Sequence, residues 1–245
     1  MNKIVFEHPL NEKIRAWLRI EFLLKQLNMH CRFDQNNALL FFHALSELLE
    51  IIERNDVKSD LIKEIESQKQ KLLSWINIDG VDKELLNNIL IKLDSFLTKF
   101  SETPRLGQFL KDDRFITAIR QRLMIPGGCC SFDLPFFHLW LKQPQAIRNQ
   151  QVHSWLQHLS LLDESLTTCL QLIRQLGEFK RFIYNNNFSQ DTTGDVNLIR
   201  IRIPLDKNVY PQVSGHMSRY NIRFLPLDTN EGINLDSIEF ELACC

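Results

Sequence analysis

Apolar residues recur at spacings of three and four from Leu10 to Gly177, which is the period of an amphipathic helix. The most regular run extends from Leu86 to Phe100 and keeps its apolar residues on one helical face. Polar or glycine-containing stretches separate the runs, so we predict a series of helices joined by short loops. The predicted helices cover residues 10–27, a segment capped by Asp34, a segment that begins at Asp56, a segment after the Asp79–Gly80 turn, and residues 108–123, 134–142, 145–159 and 160–177.

The period changes near Phe179. Beyond this residue apolar and charged residues alternate, which is typical of half-buried antiparallel strands. Arginines alternate with apolar residues at 199–203 and glutamates at 238–242, so arginines of one strand can face glutamates of another. Asn2–His8 shows the same alternation and needs this sheet as a partner.

These two patterns predict an α+β protein with a mainly α-helical lobe and a smaller antiparallel β-sheet lobe. The β lobe is built from both chain ends, because the N-terminal strand has no other sheet to join. We assign residues 9–177 to an α-helical domain, and residues 1–8 together with 178–245 to a β-strand domain.

One stretch between the predicted helices combines a turn with many bulky side chains. Pro126, Gly127 and Gly128 can neither continue a helix nor form a regular strand, so the chain must turn here. We predict that Asp133 caps the next helix and that Pro135 lies in its first turn. The bulky apolar residues that follow indicate a structural element that can also present a surface to a partner.

Composition excludes several classes of function. The chain has 245 residues with 29 Lys and Arg against 30 Asp and Glu, so no global positive field attracts nucleic acid or anionic lipid. No apolar run approaches the ~20 residues that cross a bilayer, and the first residues lack the core of a secretion signal, so we expect a cytoplasmic protein without membrane insertion. The six cysteines show no CxxC spacing, so we expect reduced thiols, no metal site and no cofactor.

Two groups of residues have the side chains of a catalytic site, but a simpler structural interpretation is available for each. Cys129 or Cys130 with Asp133 and His138 has the residue types of a thiol hydrolase, but their spacing is not diagnostic and buried thiols are the simpler interpretation. Asp112 and Asp113 point about 100° apart on a helix, so we expect solvated side chains rather than a carboxylate pair.

Basic residues near aromatic residues point to peptide recognition. Residues 105–122 hold five Lys and Arg against two Asp, and Arg15 and Arg19 project from one side of the first helix. Aromatic residues accompany them in greater number than a single helix surface can bury. Arginines beside aromatic rings form pockets that capture a short peptide with an apolar anchor and a charged end.

Several long blocks of the sequence carry a family resemblance. They are FEHPLNEKIRAWLRIEFL from Phe6, PRLGQFLKDDR from Pro104, RQRLMIPGGCCSFDLPFFHLWL from Arg120, VSGHMSRYNIRFLPLD from Val213, and the final FELACC. Together they resemble the ZapD family, bacterial cytoplasmic proteins that associate with the division ring built by the tubulin-like protein FtsZ. The resemblance implies a homodimer without enzymatic activity. Each copy binds the C-terminal tail of one FtsZ molecule, and the dimer thereby cross-links filaments at midcell.

These blocks also suggest the residues of the peptide site. We hypothesise that Arg19, Arg114 and His138 form its charged core. Arg15 and Arg122 support them, and Trp17 and Phe22 offer apolar contact. The main alternative is a thiol-dependent hydrolase at Cys129 and His138; a nucleic-acid site through the arginines has no recognised motif behind it.

Overall fold

The computed structural model describes residues 2–31, 37–184, 188–191, 196–216, 219–227 and 238–245. The helices are α1 (Glu12–Met29), α2 (Ala38–Arg54), α3 (Val57–Ser74), α4 (Lys83–Glu102), α5 (Gln108–Asp112), α6 (Arg114–Leu123), α7 (Pro135–Leu141), α8 (Gln145–Gln157) and α9 (Ser160–Leu176). The strands are β1 (Lys3–Pro9), β2 (Lys180–Tyr184), β3 (Phe188–Asp191), β4 (Leu198–Pro204), β5 (Val209–His216), β6 (Arg219–Pro226) and β7 (Ile238–Cys244). The predicted α+β class is confirmed, and the predicted cap at Asp34 lies outside the described residues.

Two compact units divide the chain. The first comprises Met1–Leu18 and Leu170–Cys245, and the second comprises Arg19–Cys169. The assignment of residues 9–177 to one domain and of residues 1–8 with 178–245 to another stays a prediction.

The first unit contains the strands, which form two antiparallel sheets. One sheet has the order β1-β4-β7-β2 and the other the order β3-β6-β5. The N-terminal strand β1 pairs with β4, so the prediction that it joins the sheet of the C-terminal region is confirmed. Both sheets contribute to a single apolar core, which contains Leu10, Ile199, Ile201, Ile203, Tyr220, Ile222, Phe224, Ile238, Phe240 and Leu242.

Charged side chains on the four-stranded sheet pair across the strands, as predicted. Arg202 lies opposite Glu241 in the β4–β7 register, and its Nη1 is 2.9 Å from a carboxylate oxygen of Glu241. Lys3 of β1 reaches the other oxygen of Glu241 at 2.6 Å. Arg200 lies opposite Glu7 of β1, and its Nε donates to Glu7 at 3.0 Å.

The second unit is helical, and an aromatic cluster joins four of its helices. We use this name for Phe41 and Phe42 of α2, Phe115 of α6, Phe137 and Trp140 of α7, and Trp155 of α8. Phe42 contacts all five of the other rings, with ring-centroid distances of 5.3 Å to Phe41 and 5.6 Å to Phe137. Because the rings come from four helices, the cluster fixes α6 and α7 against α2 and α8.

The helix predicted at 108–123 is broken at Asp113, so that prediction was wrong. Asp113 has an extended backbone and ends α5, and its Oδ1 accepts hydrogen bonds from the first backbone N–H groups of α6. Asp113 is therefore a helix cap and not the solvated side chain that we expected. Phe109 of α5 is exposed and stacks on His158 with ring centroids 3.7 Å apart.

Asp133 does not cap α7, contrary to prediction. The helix begins after Leu134 with Pro135 in its first turn, and its N-terminus has no side-chain cap. The carboxylate of Asp133 is instead engaged by Cys130 and Arg122.

Candidate peptide-binding site

The candidate site lies on α6, α7 and the turn between them, all within the second unit. Their inner faces carry Phe115, Phe137 and Trp140 of the aromatic cluster. Two polar contacts from α8 hold α7 as well: Trp140 Nε1 donates to Gln151 at 2.7 Å, and the buried Arg148 donates to the Leu141 carbonyl at 3.1 Å. These contacts fix the position of α7 and therefore of its outward side chains.

The turn between α6 and α7 is closed by backbone and side-chain bonds. Gly127 adopts a positive φ of 72°, which glycine tolerates without strain. Gly128 N–H donates to the Ile125 carbonyl, and Leu134 N–H donates to the Cys130 carbonyl. The turn therefore has defined internal structure.

An ion pair joins the two ends of this turn. Arg122, at the end of α6, lies 3.7 Å from Oδ1 of Asp133, and Oδ2 of Asp133 accepts a hydrogen bond from Cys130 Sγ at 3.3 Å. Asp133 thereby positions Arg122, which remains well exposed.

Three predicted site residues occupy this part of the second unit. Arg114 begins α6, Arg122 lies in its last turn, and His138 lies on α7. All three are exposed, whereas the aromatic residues beside them in sequence are turned inward or half-buried. The structure therefore brings these three onto helices that share one aromatic support.

The remaining predicted site residues lie on α1. Arg19 and Phe22 belong to the second unit and are exposed, but no described contact joins them to α6 or α7. Arg15 belongs to the first unit, where its Nε is 3.1 Å from Glu12. Trp17 belongs to the same unit and is only 1% exposed, with Lys13 Nζ 5.3 Å from its ring centroid.

The residues of a thiol hydrolase are present without its geometry. Cys130 Sγ donates to Asp133, and among the described contacts neither Cys129 nor Cys130 bonds to His138. Burial raises the pKa of the Cys129 thiol, and Cys130 and Asp133 raise it further, which disfavours the nucleophilic thiolate. The arrangement does not favour a hydrolase.

Other kinds of site find little support in the described part of the chain. There, no group of three His, Cys, Asp or Glu side chains is placed to hold a metal ion. Nor does any described helix combine the length and the apolar character needed to cross a bilayer.

Sequence reasoning missed a set of apolar side chains on the outside of this site. Met124, Phe132 and Leu139 are highly exposed, although each lies in the stretch that the sequence identified as structural. The helical period could have predicted that Leu139 is exposed, because it lies between Phe137 and Trp140, which both face inward on the same short helix. Phe132 lies in a turn without periodicity, and no sequence signal indicates its exposure.

Comparison with known proteins identifies the family. A family model named ZapD and described as "Cell division protein" matches residues 18–223. The chain belongs to the ZapD family. The chain is also similar to proteins named Cell division protein ZapD from Shigella flexneri, Escherichia coli (strain K12) and Shigella dysenteriae serotype 1 (strain Sd197). Each is 48% identical over 244 residues, covering 99% of this chain and 99% of the relative.

The ZapD match includes most of the predicted site residues, but Arg15 and Trp17 lie before its first matched residue. Arg19, Arg114, Arg122 and His138 lie within the matched residues, as do α6, α7 and the turn between them. The resemblance stated from the sequence is thus confirmed, and the protein has a role in cell division.

Proposed function

We propose that this protein is a non-enzymatic division factor that binds the C-terminal tail of FtsZ and, as a homodimer, cross-links FtsZ filaments at the midcell ring in the cytoplasm. The observation that carries the proposal is membership of the ZapD family over nearly the full length of the chain. Arg114, Arg122 and His138 are exposed on two helices that contribute rings to the aromatic cluster, and they supply a physical means of binding a peptide.

Peptide capture fits the chemistry of this surface. Arg114 and Arg122 can donate charge-assisted hydrogen bonds to acidic side chains or to a terminal carboxylate, and His138 can donate a ring N–H hydrogen bond. A disordered tail loses conformational entropy when it binds, so each contact yields modest affinity. Two sites on one dimer that meet many tails along a filament compensate through avidity. Weak individual sites are therefore sufficient for bundling.

The proposed site retains Arg19, Arg114 and His138 as its charged core, with Arg122 in support and Phe22 as an apolar contact. Phe22 is 60% exposed and is accessible to a ligand. For Arg15 and Trp17 the proposal rests on their sequence positions alone. Trp17, being buried, would act by holding its helix in place rather than by contacting the peptide.

Charge reversal tests this site. We expect Arg19→Glu and Arg114→Glu each to weaken binding of a fluorescent FtsZ-tail peptide by about tenfold or more, because each replaces an attraction with a repulsion. Lys63→Glu, at an exposed position of α3 outside the blocks that carry the resemblance, is the control and should leave affinity nearly unchanged. Unchanged affinity in folded Arg19→Glu and Arg114→Glu variants would remove both residues from the site.

Filament experiments test the wider function. The protein should sediment with FtsZ polymer and bundle it, but should not sediment with polymer that lacks the tail. Binding should weaken as salt concentration rises, because exposed charges are screened over roughly 10 Å at 0.1 M salt. Alkylation of the thiols should leave bundling intact, whereas a thiol-dependent activity would be lost.

A further inference from the structure

The turn and helix of the candidate site carry an exposed apolar surface. We define the 124–139 surface as Met124, Ile125, Phe132 and Leu139. The exposed fractions are 80% for Met124, 83% for Phe132 and 63% for Leu139. Single exposed apolar residues are ordinary, but several within one short segment mark an interaction surface.

This surface is held in place before any partner arrives. The Arg122–Asp133 ion pair joins the segment that carries Met124 to the segment that carries Phe132. Phe136 packs edge-on against Phe115 with ring centroids 5.3 Å apart, which fixes the beginning of α7. A ligand that binds here does not have to order the turn, so less entropy is lost on binding.

Basic residues outnumber acidic ones in the segment that carries these apolar side chains, although one of them, Arg120, pairs with Glu53 of α2. Residues 114–142 contain four Lys and Arg but a single acid, Asp133. That acid is already engaged by Arg122 and Cys130. Arg114, His138 and Lys142 are all exposed on the same two helices or directly after them. The surface is thus complementary to a peptide that combines apolar side chains with acidic ones.

We propose that the 124–139 surface is the apolar anchor of the peptide site, with Phe132 and Leu139 as its main contacts. Its occupant is an extended acidic peptide whose apolar side chains pack on these two residues while its carboxylates pair with the neighbouring cations. This inference rests on the proposed function and adds to it. The cations attract and orient the peptide, and the apolar contacts limit its dissociation.

Serine substitutions test the anchor without altering charge. We expect Phe132→Ser and Leu139→Ser each to weaken binding of the FtsZ-tail peptide by about tenfold, the size of a moderate interface hot spot. Phe132→Leu, which keeps an apolar side chain, should retain most of the affinity. Leu85→Ser and Ile78→Ser are matched controls, because these residues are 58% and 50% exposed in or next to the α3–α4 pair and carry no predicted role.

The salt dependence of binding separates the anchor from the charges. The serine variants should keep the wild-type slope of affinity against salt, because their cations are unchanged, whereas Arg114→Glu should reduce that slope. Far-ultraviolet circular dichroism and the urea midpoint establish that each variant is folded.

Three results would contradict the anchor proposal, and they can be told apart. If the wild type binds the FtsZ-tail peptide and neither serine variant loses affinity, the anchor proposal is wrong and the proposed function is unaffected. An absence of wild-type binding would overturn both. If Phe132→Ser and Leu139→Ser instead convert a dimer into monomers in sedimentation velocity, a second copy of the chain covers this surface and the anchor proposal is wrong.

Discussion

Trp155 Nε1 donates a hydrogen bond to Oδ2 of Asp113 at 3.1 Å, while the other oxygen of the same carboxylate caps α6. One aspartate therefore begins the helix that carries Arg114 and also satisfies the polar edge of a buried tryptophan. Trp155 lies in the aromatic cluster, so this bond connects the helix start with the support beneath the candidate site.

Asp113→Ala should destabilise the protein by about 2–4 kcal/mol. The loss of the cap costs about 1 kcal/mol, and the unpaired N–H of buried Trp155 costs about 1–3 kcal/mol more. Asp112→Ala is the control, because among the described residues that carboxylate accepts hydrogen bonds from Gln108 alone, at the exposed end of α5. Its change should stay within about 0.5 kcal/mol. Urea unfolding measures both values. Equal effects of the two substitutions would contradict the double role of Asp113.

The two glycines of the turn should respond differently to alanine. A Cβ at Gly128 would lie 2.4 Å from the Arg122 carbonyl oxygen, so the backbone has to move, and we expect a cost of about 3 kcal/mol. A Cβ at Gly127 meets no atom within 4 Å, and only its positive φ adds strain, about 1 kcal/mol. Unfolding free energies of the two variants check this order. A larger loss for Gly127→Ala would show that close packing at Gly128 is not what requires glycine there.

Glu7 should be important for the stability of the first unit. Its carboxylate accepts hydrogen bonds from Arg174 at 2.7 Å and from Arg200 at 3.0 Å, and all three side chains are mostly buried. Glu7→Ala leaves two guanidinium groups without this counter-charge, so we expect a loss of about 2–4 kcal/mol. Glu12→Ala removes the partner of Arg15 at an exposed site and should cost less than about 0.5 kcal/mol. Thermal and urea unfolding compare them, and a comparable loss at Glu12 would argue against a special role for Glu7.

Glu241 should contribute to acid sensitivity. A hydrogen bond from Lys3, followed by one from Arg202, lowers the pKa of the Glu241 carboxyl below its ordinary value of 4.5. A carboxyl with a depressed folded pKa adds stability that is fully present above pH 4.5, declines below it, and is gone once the pH is under the folded pKa. Glu241→Gln should therefore lower the unfolding free energy at pH 7. On acidification, the unfolding free energy of this variant should fall less than that of the wild type.

The matched control for this pH experiment is Glu239→Gln, an exposed position two residues away on β7. Urea titrations at pH 7 and at several lower values measure the difference between each variant and the wild type. Parallel pH curves for wild type and Glu241→Gln would contradict the predicted pKa shift.

Local periodicity alone was enough to predict most of the secondary structure. The alternation at Ile199, Ile201 and Ile203 indicated an inward face, and all three are buried in the apolar core. It also placed arginines opposite glutamates, as Arg202 and Glu241 confirm. These predictions succeed because a strand or helix places its side chains at fixed intervals, so the pattern of apolar residues reports which face is buried.

Positions without a repeating pattern were harder to predict. Asp112 and Asp113 are adjacent acids with the same local context, yet only Asp113 meets Trp155, which lies 42 residues further along the chain. Asp133 was expected at the start of α7 but is held by Arg122 and Cys130 instead.

The sequence by itself determined the α+β class, the pairing of the N-terminal strand, most element boundaries and the family. Only the tertiary structure decided that the 108–123 helix breaks at Asp113, that Trp17 is buried and that Phe132 and Leu139 are exposed. The reason is physical: periodicity depends on neighbours three or four residues away, whereas the burial of a particular ring and the partner of a particular carboxylate depend on segments that meet only when the chain folds.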